Sequence, residues 1–319
     1  MKRFVPDYYN DFACIMGACR HSCCIGWEID IDEESLARFR NIGGKIGKRL
    51  DDNIVSDGEC AHFRLADSER CPFLNDEGLC DLILDQGEDI LCQICADHPR
   101  FRSFYSGREE TGIGLCCEAA GRLILQRSRP ASWVLLDDDG AEEELYEDEA
   151  ELLQLRDELT AAAQDRRLTI DARAAKILEI CGMQGMDMRF EGHIAFLLTL
   201  ERLDIAWTGR LEALGRCVRP LPLPDECGCS VALEQLMVYL LWRHLPAALD
   251  DGDIRGHIAF VLFIWQLLRD MIAAACASRG CFDIEDAVEL ARLCSSEIEY
   301  SDENIGAILE KLRAVYPEL

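Results

Sequence analysis

Cysteine is the residue of this chain whose number and spacing call for a chemical explanation. Eleven of its eighteen cysteines fall between Cys14 and Cys117. The densest group reads Cys14-x4-Cys19-x3-Cys23-Cys24. Cys71 and Cys80 flank the turn-like Asn75-Asp76-Glu77-Gly78, and Cys92-x2-Cys95 and the doublet Cys116-Cys117 follow. Thiols at such density pair as disulfides, bind metal, hold an iron–sulfur cluster or do redox chemistry. Disulfide frameworks belong to oxidising compartments and to short chains, and 319 residues can bury a large core. The opening Met1-Lys2-Arg3-Phe4-Val5-Pro6-Asp7-Tyr8 lacks the apolar run and cleavage site of a secretory signal. Adjacent cysteines such as Cys23-Cys24 rarely bridge each other, because a bridge needs a specific separation and dihedral. A cytoplasmic chain is expected, with metal or cluster binding first and redox second.

Tetrahedral sulfur sites hold zinc or iron–sulfur. Zinc announces itself as tandem C-x2-C knuckles, and only Cys92-x2-Cys95 has that form. Iron–sulfur ligands tolerate varied spacing because several loops reach one bulky cluster. Cys19-x3-Cys23 begins the C-x3-C-x2-C pattern of radical S-adenosylmethionine enzymes, but the position of its third cysteine is Gly26. Cys181, Cys276 and Cys294 sit inside apolar helical runs and read as small buried hydrophobes. Cys227-Gly228-Cys229 stays undecided. His21, His62 and His98 lie near cysteines as candidate ligands, with a surface or hydrogen-bonded fate as the commoner one.

The formal charge is −27, from 33 basic and 60 acidic residues. That excludes the basic footprint nucleic acid requires and suits a lysine-bearing partner or a solvated acidic face. The longest apolar stretch, Ile258 to Trp265, is closed by Gln266 and Arg269, short of the ~20 residues of a membrane span. It reads as a buried helix.

The elements that must position these cysteines are short. Helices are predicted over 33–40, 87–97 and 117–127, and strands over 62–65 and 111–115. An acidic stretch runs from Asp137 through Glu142, Glu143 and Glu144 to Glu158, with its second half helical. Beyond it, apolar periodicity predicts helices over 172–181, 193–207, 231–244, 254–277, 284–294 and 304–315, interrupted by the Pro-rich 220–224. The expected fold is mainly α: a loop-rich, Cys-rich N-terminal region with few short strands, packed on a helical C-terminal domain. The expected domains are a metal-binding region over 1–130, an acidic connecting helix over 131–160 and a helical domain over 161–319.

The ordered blocks resemble a known family. Phe12-Ala13-Cys14-Ile15, Cys19 and Cys23-Cys24-x2-Trp27-x2-Asp30-Ile31-Asp32 are similar to the opening of the flagellin lysine-N-methylases, with their CxxCxxCC-type zinc- or iron-chelating region. Cys71-Pro72-Phe73-Leu74 with Gly78-Leu79-Cys80 follows. Gly87-Glu88-x2-Leu91 then leads to Cys95 and His98-Pro99-Arg100, and Cys116-Cys117-Glu118-Ala119-Ala120 resembles the family's Cys-Pro-Glu-Ala-Ala. Carried over residue by residue, the resemblance picks Cys14, Cys19, Cys23, Cys24, Cys71, Cys80, Cys95 and Cys116 as metal ligands. It leaves Cys60, Cys92 and Cys117 as extras.

What the resemblance implies is methyl transfer from S-adenosylmethionine to lysine side chains of flagellin, with an iron–sulfur cluster of the 4Fe–4S type, or zinc as the alternative. The rival reading is a non-enzymatic zinc- or iron–sulfur-binding protein. An iron with an open position could hold the amino acid end of the methyl donor. Asp30 and Asp32 are candidates for a base or ammonium binder, and equally for solvent-facing or capping residues. Trp27 and Tyr8 are candidates for a cofactor pocket, against core packing. Arg100 could bind a carboxylate, against a structural ion pair. Gly112-Ile113-Gly114 is the nearest approach to a cofactor loop and reads better as a turn or strand-end pair.

Overall fold

A computed structural model describes residues 1–56, 60–66, 69–140, 144–217, 221–223 and 229–319. Cys227, Glu142, Glu143 and both ends of the Pro-rich 220–224 segment lie outside the described residues. The strands are β1 (Lys2–Pro6), β2 (Asp30–Ile31), β3 (Ile54–Ser56), β4 (Ala61–Phe63), β5 (Arg100–Tyr105), β6 (Arg108–Ile113) and β7 (Trp133–Asp138). The first helices are α1 (Glu33–Phe39), α2 (Gly44–Asn53), α3 (Asp81–Gln86), α4 (Gln93–Asp97) and α5 (Glu118–Leu125). Then come α6 (Glu147–Ala163), α7 (Ile170–Ile180), α8 (His193–Leu197), α9 (Ile205–Gly215), α10 (Cys229–His244), α11 (Ala248–Asp251), α12 (Ile254–Arg279), α13 (Ile284–Cys294) and α14 (Asp302–Val315). The chain is mainly α, with its few strands in two small sheets.

Two compact units result. One comprises residues 13–100 with 117–119; the other takes 1–12, 101–116 and 120–319. The larger, helical unit is built on α12, whose long apolar sequence leaves almost no polar face, so both sides must be covered. By length and composition α12 could cross a membrane, but 83% of its apolar window is buried inside the unit, as in a core helix. It packs on α10, and the Trp265 indole donates to the Leu233 carbonyl at 3.0 Å. The unit's sheet has the order β5-β6-β1-β7, with β1 parallel to β6 and antiparallel to β7. Gly112 lies within β6, where a Cβ would stand 2.2 Å from the Phe101 ring. It is a packing glycine rather than a cofactor loop.

The smaller unit has a three-stranded sheet of order β2-β4-β3 and a core of Ile29, Ile31, Phe39, Leu50, Phe63 and Phe73. Phe63 bridges Phe39 (centroids 5.9 Å apart) and Phe73 (5.0 Å), a spacing at which ring edges and faces attract. With so few apolar residues, its cysteines must serve as core as well.

Two predicted helices are broken. Over 87–97, Gly87 (φ +88°) ends α3, a 3₁₀ turn covers Glu88–Ile90, and the chain extends at Leu91 before α4 starts after Cys92. Over 193–207, α8 stops at Leu197 and α9 begins at Ile205. The Glu297 carboxylate accepts from the Leu203 and Asp204 amides at 2.9 and 2.6 Å, and Asp204 caps α9. Leu203 and Ile205, which completed the apolar period, are exposed.

Candidate functional site

The cysteine loop is pinned from both sides by turn chemistry. In the 75–78 turn, the Asn75 side-chain oxygen accepts from the Glu77 and Leu79 amides at 3.0 Å each, and Gly78 takes φ +73°. Gly17 lies directly on this turn. A Cβ there would meet the Glu77 carbonyl oxygen at 2.6 Å, so the 14–24 loop approaches as only glycine permits. The Cys71 amide donates to the Cys24 carbonyl at 2.8 Å, joining the end of the loop to the core.

Cys71 and Cys92 belong to the small unit's hydrophobic core, and Cys24, Cys80 and Cys95 are partly buried against it. Burial pushes the Cys71 thiol up to about 12, and the sulfurs of Cys24, Cys80 and Cys92 add to the rise. Burial likewise raises Cys80, with Cys24 and Asp81 contributing. Cys95 is raised by the hydrogen bond it donates to Cys92, then by burial, with Cys24 and Cys71 near enough to be felt. Backbone amides oppose these rises, Phe73 at the Cys71 sulfur and Ile83 and Leu82 at Cys80, while Cys92, which accepts the Cys95 hydrogen bond, is lowered and the Cys95 amide adds to the lowering. Amide hydrogens aimed at sulfur stabilise thiolate over thiol, as ligand sulfurs require.

A second set stands outside that core. Glu118 accepts from the Arg20 amide at 3.1 Å and pairs with its guanidinium at 3.4 Å, which ties residues 117–119 to the loop. Cys117 thereby joins Cys14, Cys19 and Cys23. Burial raises the Cys19 thiol, helped by Glu118, Cys117 and Cys14. Cys23 is raised by the hydrogen bond it donates to Cys24, then by burial, with Cys14 and Cys117 adding to it. Accepting that bond brings Cys24 down to about 7, aided by Ser22 and Arg70. The Cys19 thiol donates to the His21 carbonyl at 3.2 Å, and the Met16 amide to Cys14 Sγ at 3.4 Å.

Of the eight cysteines picked from the sequence, Cys71 lies in the core with Cys24, Cys80 and Cys95 packed against it, and Cys14, Cys19 and Cys23 lie in the loop. Cys116 belongs to the helical unit, where it interacts with the Tyr300 hydroxyl and Arg243. Two extras, Cys92 and Cys117, stand among the rest; the C-x2-C knuckle was the visible signal for Cys92. Cys60 is exposed beside Asp30, 3.6 Å from its carboxylate.

The other candidates have structural partners. Asp32 caps α1 through the Ser35 amide and also accepts from the Gln93 amide at the start of α4, both at 2.8 Å. Trp27 donates to the Cys23 carbonyl at 2.7 Å, and its ring lies 6.2 Å from that of His98. Burial lowers His98 to about 4, with Arg100 assisting, so its ring is neutral at pH 7. Arg100 donates to the Ala96 carbonyl, His62 pairs with Glu28 at 3.8 Å, and Tyr8 is buried under Arg127.

Among the described residues, no three His, Cys, Asp or Glu side chains converge to hold one metal ion. The thiols instead hydrogen-bond in pairs, Cys23 with Cys24 and Cys92 with Cys95. Their arrangement does not match one preformed ion site. The donors themselves are of the thiophilic type, soft sulfurs with backbone amides aimed at Cys71, Cys80 and Cys92, of which Cys71 and Cys92 are buried.

Part of the chain is similar to bacterial lysine-N-methylases. A 126-residue stretch is 25% identical to the lysine-N-methylases of Salmonella choleraesuis and Salmonella typhimurium, covering 37% of this chain and 31% of each of those proteins. At the same identity and length it matches the flagellar biosynthetic protein FliU of Salmonella muenchen, covering 75% of that protein. The chain thus spans under a third of the lysine-N-methylases it matches. No family model and no solved structure matches.

Proposed function

We propose that this chain is a cytoplasmic protein-lysine methyltransferase that transfers the methyl group of S-adenosylmethionine to lysine side chains of flagellin. The single observation that supports it most is the likeness to lysine-N-methylases. The gathering of Cys24, Cys71, Cys80, Cys92 and Cys95 in and against one core is consistent with it.

In the transfer, the lysine Nζ lone pair attacks the methyl carbon and the carbon–sulfur bond breaks. Its electron pair stays on sulfur as S-adenosylhomocysteine, and Nζ releases a proton. The amine must therefore lose its proton, which desolvation and the adjacent sulfonium both favour. A chain of net charge −27 attracts a lysine-bearing surface over distances set by ionic strength.

The cysteines would hold an iron–sulfur cluster, whose ligands reach it from several loops, in preference to a single zinc ion. Such a cluster supplies an iron that can act as a Lewis acid or electron carrier. The reducing cytoplasm keeps the thiols available for it.

The test incubates anaerobically purified full-length protein, after iron, sulfide and zinc analysis, with methyl-labelled S-adenosylmethionine and flagellin. Label on flagellin lysines is the expected result. Metal-loaded protein that labels nothing would falsify the enzyme reading in favour of a metal-carrying protein. Colourless protein with stoichiometric zinc and no iron would overturn the cofactor.

A further inference from the structure

We infer that the cleft at the C-terminal end of α5 is a binding site for a phosphate group, carried by a phosphate monoester or free as inorganic phosphate. It lies wholly within the helical unit, and nothing in its chemistry depends on the methyl transfer proposed above. The cleft has a volume of about 310 Å³ and is lined by Arg122, Leu123, Gln126, Arg127, Ser128 and Arg129. That volume falls at the lower end of small-molecule sites.

The charge of the cleft opposes that of the chain. Against a net charge of −27, three guanidiniums stand together. Two of them are already matched. Arg122 forks onto the Glu285 carboxylate at 2.9, 3.2 and 2.7 Å. Arg127 donates to Asp7 and lies 5.5 Å from the centre of the Tyr8 ring. Arg129 is exposed and has no carboxylate partner among the described residues. Three guanidiniums against two carboxylates leave one positive charge for a ligand to meet. The Arg127 side chain is only 8% exposed, and its Nε is a buried donor that meets no acceptor among the described residues. Donors are rarely left so in a protein interior.

A helix C-terminus ordinarily repels anions, because its last carbonyls carry partial negative charge. Here four carbonyls of the turn are taken. The Gln126 amide donates to the Arg122 carbonyl at 3.0 Å, and the Arg127 amide to that of Ile124 at 3.3 Å. Gln235, itself buried, donates its Nε2 to the carbonyls of Arg127 and Arg129 at 3.2 and 2.8 Å. Gln164 holds the Ala131 carbonyl at 2.9 Å, so residues 126–131 follow a fixed path along the cleft. The exposed side chains of Gln126, Ser128 and Arg129 are left to supply donors.

Arginine makes its strongest hydrogen bonds to oxyanions. A planar carboxylate is served by a single fork, whereas a tetrahedral phosphate presents oxygens in several directions. Donors on three separate side chains suit the tetrahedral group. The cleft also exceeds a bare phosphate in size, and Leu123 gives it an apolar wall, so the body of an ester has room beside the anion.

The experiment is equilibrium dialysis of the full-length protein against radiolabelled inorganic phosphate, competed with glycerol 3-phosphate and with acetate. A single saturable site is expected, with glycerol 3-phosphate competing more strongly than unlabelled phosphate and acetate barely competing. Arg129→Ala should weaken binding about tenfold, as loss of a charge-assisted hydrogen bond does, and Arg129→Lys should restore part of it. Arg129 is exposed and makes no ion pair among the described residues, so both variants keep the fold. Arg210→Ala, which removes an exposed arginine on α9, should leave binding unchanged. Stronger competition by inorganic phosphate than by glycerol 3-phosphate would uphold the site and identify the free ion as its ligand. No saturable binding, acetate competing as well as phosphate, or wild-type affinity in Arg129→Ala would each overturn the inference. So would an equal loss in Arg210→Ala, which would mean that phosphate follows overall charge rather than this cleft.

Discussion

In the helical unit, Glu299 is buried with Tyr239 donating to its carboxylate at 2.6 Å and Ser295 at 2.8 Å, and with the Arg243 guanidinium and the His244 ring 3.1 and 3.6 Å from it. In the cysteine-rich unit, Cys71 is equally buried, but its neighbours are other thiols and its pKa rises. The contrast recurs. Glu110 meets Arg156 and Arg108, Glu234 meets Arg166 and Arg173, and Asp270 meets Arg189 and Arg269. Where a buried group already has its counter-charge, nothing further is required of it, and the reading is architectural. Buried thiols with amide donors but rising pKa values gain most from a cation that displaces their protons. The difference between the units separates paired, architectural charges from the thiols of the candidate site.

The largest expected effect tests the architectural half. Glu299→Ala leaves Arg243 buried without its carboxylate, and breaking such a pair costs about 3–5 kcal/mol. Urea denaturation followed by helical circular dichroism checks this, and a loss below about 1 kcal/mol would break the comparison. The same group sets a pH dependence. Burial alone would raise the Glu299 pKa, but Arg243, His244 and Tyr239 outweigh it and bring it from 4.5 to about 2. Because the folded value is depressed, the stabilisation is present above pH 4.5 and is lost as pH falls from there towards 2. In Glu299→Gln that part of the slope should vanish.

Next comes metal removal. If the thiols are the site, chelation should loosen residues 13–100 and leave α10 and α12 unaffected. A ligand present at a hundredfold its Kd stabilises the state that binds it by roughly 2.7 kcal/mol. Hydrogen exchange on metal-loaded and stripped protein should show faster exchange in the small unit alone. Equal loosening of both units would erase the distinction.

A smaller effect lies at Asp32, whose carboxylate serves two helix N-termini. Burial pulls its pKa upward, but the amides of Gln93 and Ser35 bring it down to about 2. Asp32→Ala should cost about 1–2 kcal/mol, as cap removals do. Asp32→Asn should recover part of that loss, because a cap needs an oxygen and not a charge. If methyl transfer collapsed in Asp32→Asn while stability held, Asp32 would move from scaffold to site.

The units also differ in what their sequences disclose. Ile284–Cys294 is legible to the residue because its apolar stripe, Asp283 cap and core face all agree. The break between α8 and α9 is not, since it depends on Glu297, more than ninety residues along the chain. Strand β1 escapes for the same reason, pairing with Arg108 to Glu110 on one side and Trp133 to Asp138 on the other. In the small unit, residue type pointed to thiol chemistry, because cysteine density has few explanations. That Cys117 lies beside the 14–24 loop was hidden, because Glu118 reaches the Arg20 amide through a contact that no local pattern encodes.

The smallest expected effect falls on Cys60, and its smallness is informative. It lies inside the cysteine-rich unit and near Asp30, yet it is exposed and away from the core on which Cys24, Cys71, Cys80, Cys92 and Cys95 gather. If density alone made a cysteine a ligand, Cys60→Ser would lower the metal content. If gathering by the fold is what matters, the same change should leave metal content intact and move stability by no more than about 0.5 kcal/mol, as surface substitutions do. Metal analysis and a denaturation curve on this one variant decide between them. A loss of metal in Cys60→Ser would mean that the loop beside Asp30 reaches a centre and that burial is a poor guide to ligation in this unit.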